Sequence, residues 1–175
     1  NMRVLNAHVD KNHQVKMMCL GHPLLEDPDP IAIGNYMVIA PDYDEKLYQT
    51  VQAFLEKINY TGMANFDIKY DARTGEYKMF EMNPRQGRSS YFVTAAGYNL
   101  SQWLVEDVLE HKPAERTVAN RESLWMIAPY GVIRKYLRDP ALLAQANALK
   151  KQGKCAHQLY CKEDRNLKRW LWYLR

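Results

Sequence analysis

The chain has 175 residues, 47% of them hydrophobic and 25% charged, which is enough for one sizeable core and ordinary for a soluble globular protein. Net charge is +4, but residues 162–175 hold five basic and two acidic side chains, so most of the excess lies in that tail and a general nucleic-acid binder is disfavoured. No run is long enough for a membrane helix, no signal-peptide pattern opens the chain, and three cysteines (Cys19, Cys155, Cys161) are too few and odd in number for a disulfide framework, which points to a reducing, cytoplasmic setting.

Two alternating runs, "MRVLNAHV" and "QVKMMCLG", flank "DKNH" and predict a hairpin. The segment "HPLLEDPDPIAIGN" has three prolines and a glycine and reads as a loop, with His22 in it. "NYMVIA" reads as a strand. "PDYDEKLYQTVQAFLEKIN" reads as a helix, with Leu47, Val51, Phe54, Leu55 and Ile58 at helical spacing and Asp42 with Glu45 as its capping box. A second hairpin is expected around "DARTG". "SQWLVEDVLEH" reads as a helix capped by Ser101, with Leu100 and Val105 as a hydrophobic staple. "SLWMIAPY" reads as a strand. In "DPALLAQANALKKQG", Asp139 caps, Pro140 opens and Gly153 ends a helix. "CAHQLYC" alternates as a strand, and "RNLKRWLWYLR" closes as a short helix. Prominent hairpins and irregular alternation of strands and helices predict an antiparallel α+β fold. The abrupt start on an Asn leads us to expect a piece of a longer protein.

The chemistry concentrates in "FEMNPRQGRSS", residues 80–90. Pairing Asp71 with Gly75 sets Asp67 opposite Met79, with Glu81 diagonal to Asp67 on the same face and Asn83 two residues further along. Two carboxylates and one carboxamide suit Mg²⁺, which keeps its other positions for water and phosphate, and their oxygens are expected within about 4–7 Å of one another. Arg85 and Arg88 follow where the strand becomes a loop and offer planar forks to a phosphate or carboxylate. Solvent-facing hairpin carboxylates, with Asp67 paired to Lys69 or Lys78, are the plainer alternative. The apolar flanks Phe66, Ile68 and Phe80 favour the site.

"GMANFDIKY" and "GEYKMFEMNPRQGRSS" resemble the C-terminal part of the ATP-grasp fold, over residues 1 to about 110. The resemblance implies an ATP-grasp C-terminal subdomain over 1–115, an antiparallel sheet flanked by helices, and a C-terminal extension over 116–175. It implies Asp67, Glu81 and Asn83 as ligands of Mg²⁺ or Mn²⁺ on ATP, Arg85 and Arg88 on phosphate, and Phe80 against adenine. A closer resemblance, in "MRVLNAHVD", "MMCLGHPLLED", "FEMNPRQGRSS" and the basic, Trp-containing tail, is to ligases of Gram-positive bacteria that join D-aspartate to the lysine amine of a peptidoglycan precursor. Another amino-acid ligase, a carbamoyl-phosphate-synthetase-like enzyme and a non-catalytic binding module are the alternatives. The subdomain that carries the family's phosphate-binding lysines and adenine-binding segment has no counterpart in this sequence, so the missing N-terminal half of the same protein is an expected partner.

Three other features attract simpler readings. Cys155, His157 and Cys161 have strand spacing and lack a fourth zinc ligand. Ser89 and Ser90 have no histidine partner. The stripe Leu167, Trp170, Leu171 and Leu174, with its basic surroundings, could touch an anionic membrane, although packing on its own domain is the simpler role.

Overall fold

The computed structural model describes residues 1–32, 34–160 and 166–173. The first hairpin forms as expected, from β1 (Met2–Val9) and β2 (Val15–Glu26), and Asp10 closes it by accepting from the Asn12 and Gln14 amides. β2 runs further than the sequence suggests. His22 and Pro23 lie in the strand, paired with Ala40 and Ile39 of β3 (Tyr36–Asp42), and the prolines crowd its irregular end. Proline in a strand is tolerated where the ladder is already interrupted, and the β2–β3 register shifts at Pro23.

α1 (Glu45–Lys57) follows. Its cap is Asp44, whose carboxylate accepts from the Leu47 amide at 2.8 Å, and not Asp42, which is occupied by the Arg3 guanidinium. The second hairpin is β4 (Gly62–Asp71) with β5 (Glu76–Asn83). α2 (Tyr91–Ala95) follows it, then α3 (Leu100–Val108). Asn99 caps α3 by accepting from the Ser101 and Gln102 amides. The expected Ser101 cap and staple do not form, since Leu100 is already helical and buried while Val105 is exposed.

β6 (Thr117–Ala119), β7 (Leu124–Met126), α4 (Tyr130–Tyr136), α5 (Pro140–Lys151), β8 (Cys155–His157) and α6 (Leu167–Tyr173) complete the described elements. Asp139 caps α5 and Pro140 opens it, as read from the sequence. Cys161 and Leu174 lie outside the described residues.

The strands join one eight-stranded sheet in the order β5-β4-β1-β2-β3-β7-β8, with β6 alongside β2. The β2–β6 and β7–β8 pairings are parallel and the rest antiparallel, so the predicted α+β class holds. One face buries Leu5, Leu20, Phe66 and Ile68 with Val51 and Leu55 of α1. The other face buries Val4, Cys19 and Ile39 with Phe92 and Val93 of α2 and Leu100 of α3. A third cluster seats Ile133 of α4 and Ala146 and Leu149 of α5 against β3 and β7. Each large side chain fully buried here contributes about 1.5–3 kcal/mol. No helix among the described residues is long and apolar enough to cross a membrane.

Candidate active site

The hairpin register differs from the expected one. Asp71 pairs with Glu76, not Gly75, so Ile68 faces Met79. An unbroken ladder would then set Asp67 against Phe80 and turn Glu81 to the α1 face. A β-bulge intervenes: the pairing shifts between Ile68 and Asp67, Phe80 is left without an opposite residue, and Glu81 stands directly opposite Asp67. Asn83 likewise stands opposite Asn65. Directly opposed residues share a face with Cβ atoms about 4.5–5.5 Å apart. The two carboxylates therefore share one face and one cleft, by a bulge that period-two reasoning could not supply.

Asp67, Glu81, Asn83, Arg85 and Arg88 line one cleft. Within it the Asn83 amide donates to Glu81 at 3.0 Å, and Arg85 donates to the Asn83 carbonyl oxygen at 3.3 Å and to the Gln86 carbonyl at 3.1 Å. Arg85 and Arg88 are exposed, Asp67 and Asn83 half-buried. Burial pushes the Asp67 carboxyl above its usual range. Glu81 adds to that, while a bond from Tyr36 and the charge of Arg85 oppose it. Phe80 is 59% exposed at the bulge. Two directly opposed carboxylates, with the Asn83 amide oxygen available two residues along β5 if it turns from Arg85, make a hard-oxygen set that fits Mg²⁺. Among the described residues, no group of three or more His, Cys, Asp or Glu side chains could hold a metal, so any ion here would need Asn83 or outside ligands.

The sequence reading missed the residues that hold this cleft together. Asn6, Asn65 and Ser90 are buried beneath it. Ser90 Oγ donates to Asn6 Oδ1 at 2.7 Å and accepts from the Gly87 amide at 2.8 Å, while Asn65 donates to the same Asn6 oxygen at 3.3 Å. The loop carrying both arginines is thereby fastened to the sheet. A Cβ on Gly87 would lie 2.9 Å from Asn65 Oδ1, so the close approach requires glycine. Asn6 and Asn65 at apolar strand positions were the available signal, because buried amides need partners. Tyr36 also escaped notice. It reaches in from β3 and donates to Asp67 at 3.2 Å.

The other singled-out residues lie elsewhere. His22 is on β2, and burial with the nearby Arg3 charge lowers it to about 4. Ser89 and Ser90 are buried. A separate cavity of about 230 Å³ contains His8, which meets Asp107 at 3.1 Å.

Comparison with known proteins gives the class first. Residues 26–106 match the family described as "Carbamoyl-phosphate synthase L chain, ATP binding domain". The fold resembles the biotin carboxylase domain of 2-oxoglutarate carboxylase from Hydrogenobacter thermophilus, in complex with MgADP and bicarbonate, with a TM-score of 0.50 at 12% identity over 70% of this chain and 27% of that one. The chain is thus similar to that ATP-binding domain in sequence over residues 26–106, and to the biotin carboxylase domain in fold. More particularly, the chain is 54% identical to the D-aspartate ligase of Enterococcus faecium (strain Aus0004) over 98% of its own length, and it spans 42% of that relative.

Proposed function

We propose that this chain supplies the metal and phosphate half of the active site of an ATP-dependent carboxylate–amine ligase, with D-aspartate as the carboxylate substrate and the lysine amine of a peptidoglycan precursor as acceptor. The observation that carries the reading is the direct opposition of Asp67 and Glu81 across the bulge, with Asn83, Arg85 and Arg88 in the same cleft. The relative's name supports the choice of D-aspartate. Residues 1–115 would form the half-site and 116–175 an extension of it, working in the cytoplasm.

Asp67, Glu81 and Asn83 would hold Mg²⁺, or Mn²⁺ in its place. A metal there would neutralise charge on the phosphates of ATP. Arg85 and Arg88 would hold the terminal phosphoryl group in line with the attacking carboxylate and stabilise the charge that develops on its oxygens. A positioned donor of this kind is worth about 2.7–4 kcal/mol. The substrate carboxylate oxygen bonds to the terminal phosphorus as the bond to ADP breaks. The acceptor amine then attacks the acyl carbon, loses its proton and releases phosphate. Phe80, exposed beside Glu81, would cover one side of the adenine.

The test is phosphate release by the full-length protein with Mg-ATP, screened across D- and L-amino acids with an amine acceptor. Release that depends on D-aspartate is expected. Release selective for another amino acid would keep the chemistry and replace the substrate, and release indifferent to every amino acid would overturn the ligase.

A further inference from the structure

Tyr36 begins β3, separated in the sheet from β4 by β1 and β2, yet it belongs to the Asp67 cleft. Its ring is buried among Val4, Ile39 and Phe92. That packing fixes the ring and aims the hydroxyl at Asp67 Oδ1, 3.2 Å away. We propose that Tyr36 is a positioning residue: it clamps one oxygen of Asp67 so that the other is presented, in a single orientation, to a divalent cation shared with Glu81. This rests on the metal-binding reading above.

Three observations support the clamp. Asp67 is half-buried, and the only hydrogen bond to its carboxylate among those described comes from Tyr36. A short carboxylate with one oxygen fixed has one productive rotamer, so binding an ion costs it little rotational entropy. Glu81, by contrast, is longer, exposed and already held by Asn83 on its own strand. An ionised carboxylate has no hydrogen to give, so the Tyr36 hydroxyl meets Asp67 as the donor. Two strands of one sheet thus define one ligand, which makes the ion sensitive to how the start of β3 is held relative to β4.

The test uses the full-length protein with Tyr36→Phe, Asp67→Asn and the double variant. Mn²⁺ binding in the presence of a non-hydrolysable ATP analogue is followed by electron paramagnetic resonance, and analogue affinity without metal is measured in parallel as a check on the fold. Losing a partner of this kind typically lowers metal affinity about 10–100-fold. We expect Tyr36→Phe to weaken Mn²⁺ by about tenfold, to leave metal-free analogue affinity unchanged, and to add nothing in the Asp67→Asn background. In turnover, the apparent Mg²⁺ requirement should rise while kcat at saturating Mg²⁺ stays within a few-fold of wild type. Normal Mn²⁺ affinity in Tyr36→Phe, beside weakened affinity in Asp67→Asn, overturns the clamp alone. A Tyr36→Phe loss that persists undiminished in the Asp67→Asn background, or that equally affects metal-free binding, also overturns it. Unchanged affinity in Asp67→Asn removes the metal reading beneath it.

Discussion

At the scale of residues, Glu81 and Gly87 separate charge from shape. Glu81 is exposed, so its carboxylate contributes little to the core. Glu81→Gln in the full-length protein should lower kcat by orders of magnitude with an unchanged urea midpoint, and steady-state kinetics beside denaturation checks both halves. Gly87→Ala should behave oppositely in origin. It sets a methyl 2.9 Å from Asn65 Oδ1, so the buried Asn65 amide or the loop must shift, and the seat of Arg88 is disturbed. Both stability and turnover should fall, by about 1–3 kcal/mol in the former, measured by urea denaturation. His22 supplies a pH signature unrelated to catalysis. Its folded value is about 4, below the ordinary 6.5, so the unfolded chain binds the proton more readily. Stability from neutral His22 is complete above about pH 6.5 and is lost as pH falls toward 4. Urea midpoints taken from pH 7 to pH 4 should decline, and His22→Gln should flatten part of that decline.

Among the elements, the helix caps give the sharpest contrast between pattern and structure. Asp44→Ala should cost α1 about 1 kcal/mol, whereas Ser101→Ala should change stability by only a few tenths, because Asn99 holds the α3 amides. Differential scanning calorimetry of the two variants decides it. Sequence period located both helices to within a few residues, since buried stripes recur at helical spacing. It chose the wrong cap twice because Asp42, Asp44, Asn99 and Ser101 are all chemically able to cap, and only the entry path of the chain selects one. The second hairpin repeats the lesson. Glu81, Asn83 and the arginines were legible as a hard-oxygen and guanidinium set, but the register was not. The bulge at Phe80 depends on which residues α1 buries, a tertiary constraint. Tyr36 and Asn6 come from other parts of the chain, so their convergence on the cleft was not legible in the 80–90 segment. The short β6 and α4 were missed for the same reason, being held by neighbours more than by their own propensity.

For the molecule as a whole, the cleft volume of about 260 Å³ sits below the roughly 300–1,000 Å³ of pockets that enclose a whole ligand. A metal and two exposed arginines facing water are strongly screened. The 175-residue chain on its own should therefore bind Mg-ATP only at millimolar concentration and release no amino-acid-dependent phosphate, as isothermal titration and a phosphate assay would check. Micromolar binding would show the half-site to be sufficient.

The same sheet has a physical consequence away from chemistry. β5 ends the strand order, so its outer backbone groups form an open edge. Edges of this kind recruit other chains unless charge or distortion guards them. β5 carries Glu76, Lys78 and Glu81 beside exposed Phe80, and its bulge interrupts the flat ladder a second strand would need. Glu81, proposed above as a metal ligand, is thus also one of the charges that guard this edge. Replacing Glu81 with an apolar residue would remove a guard from this border of the sheet.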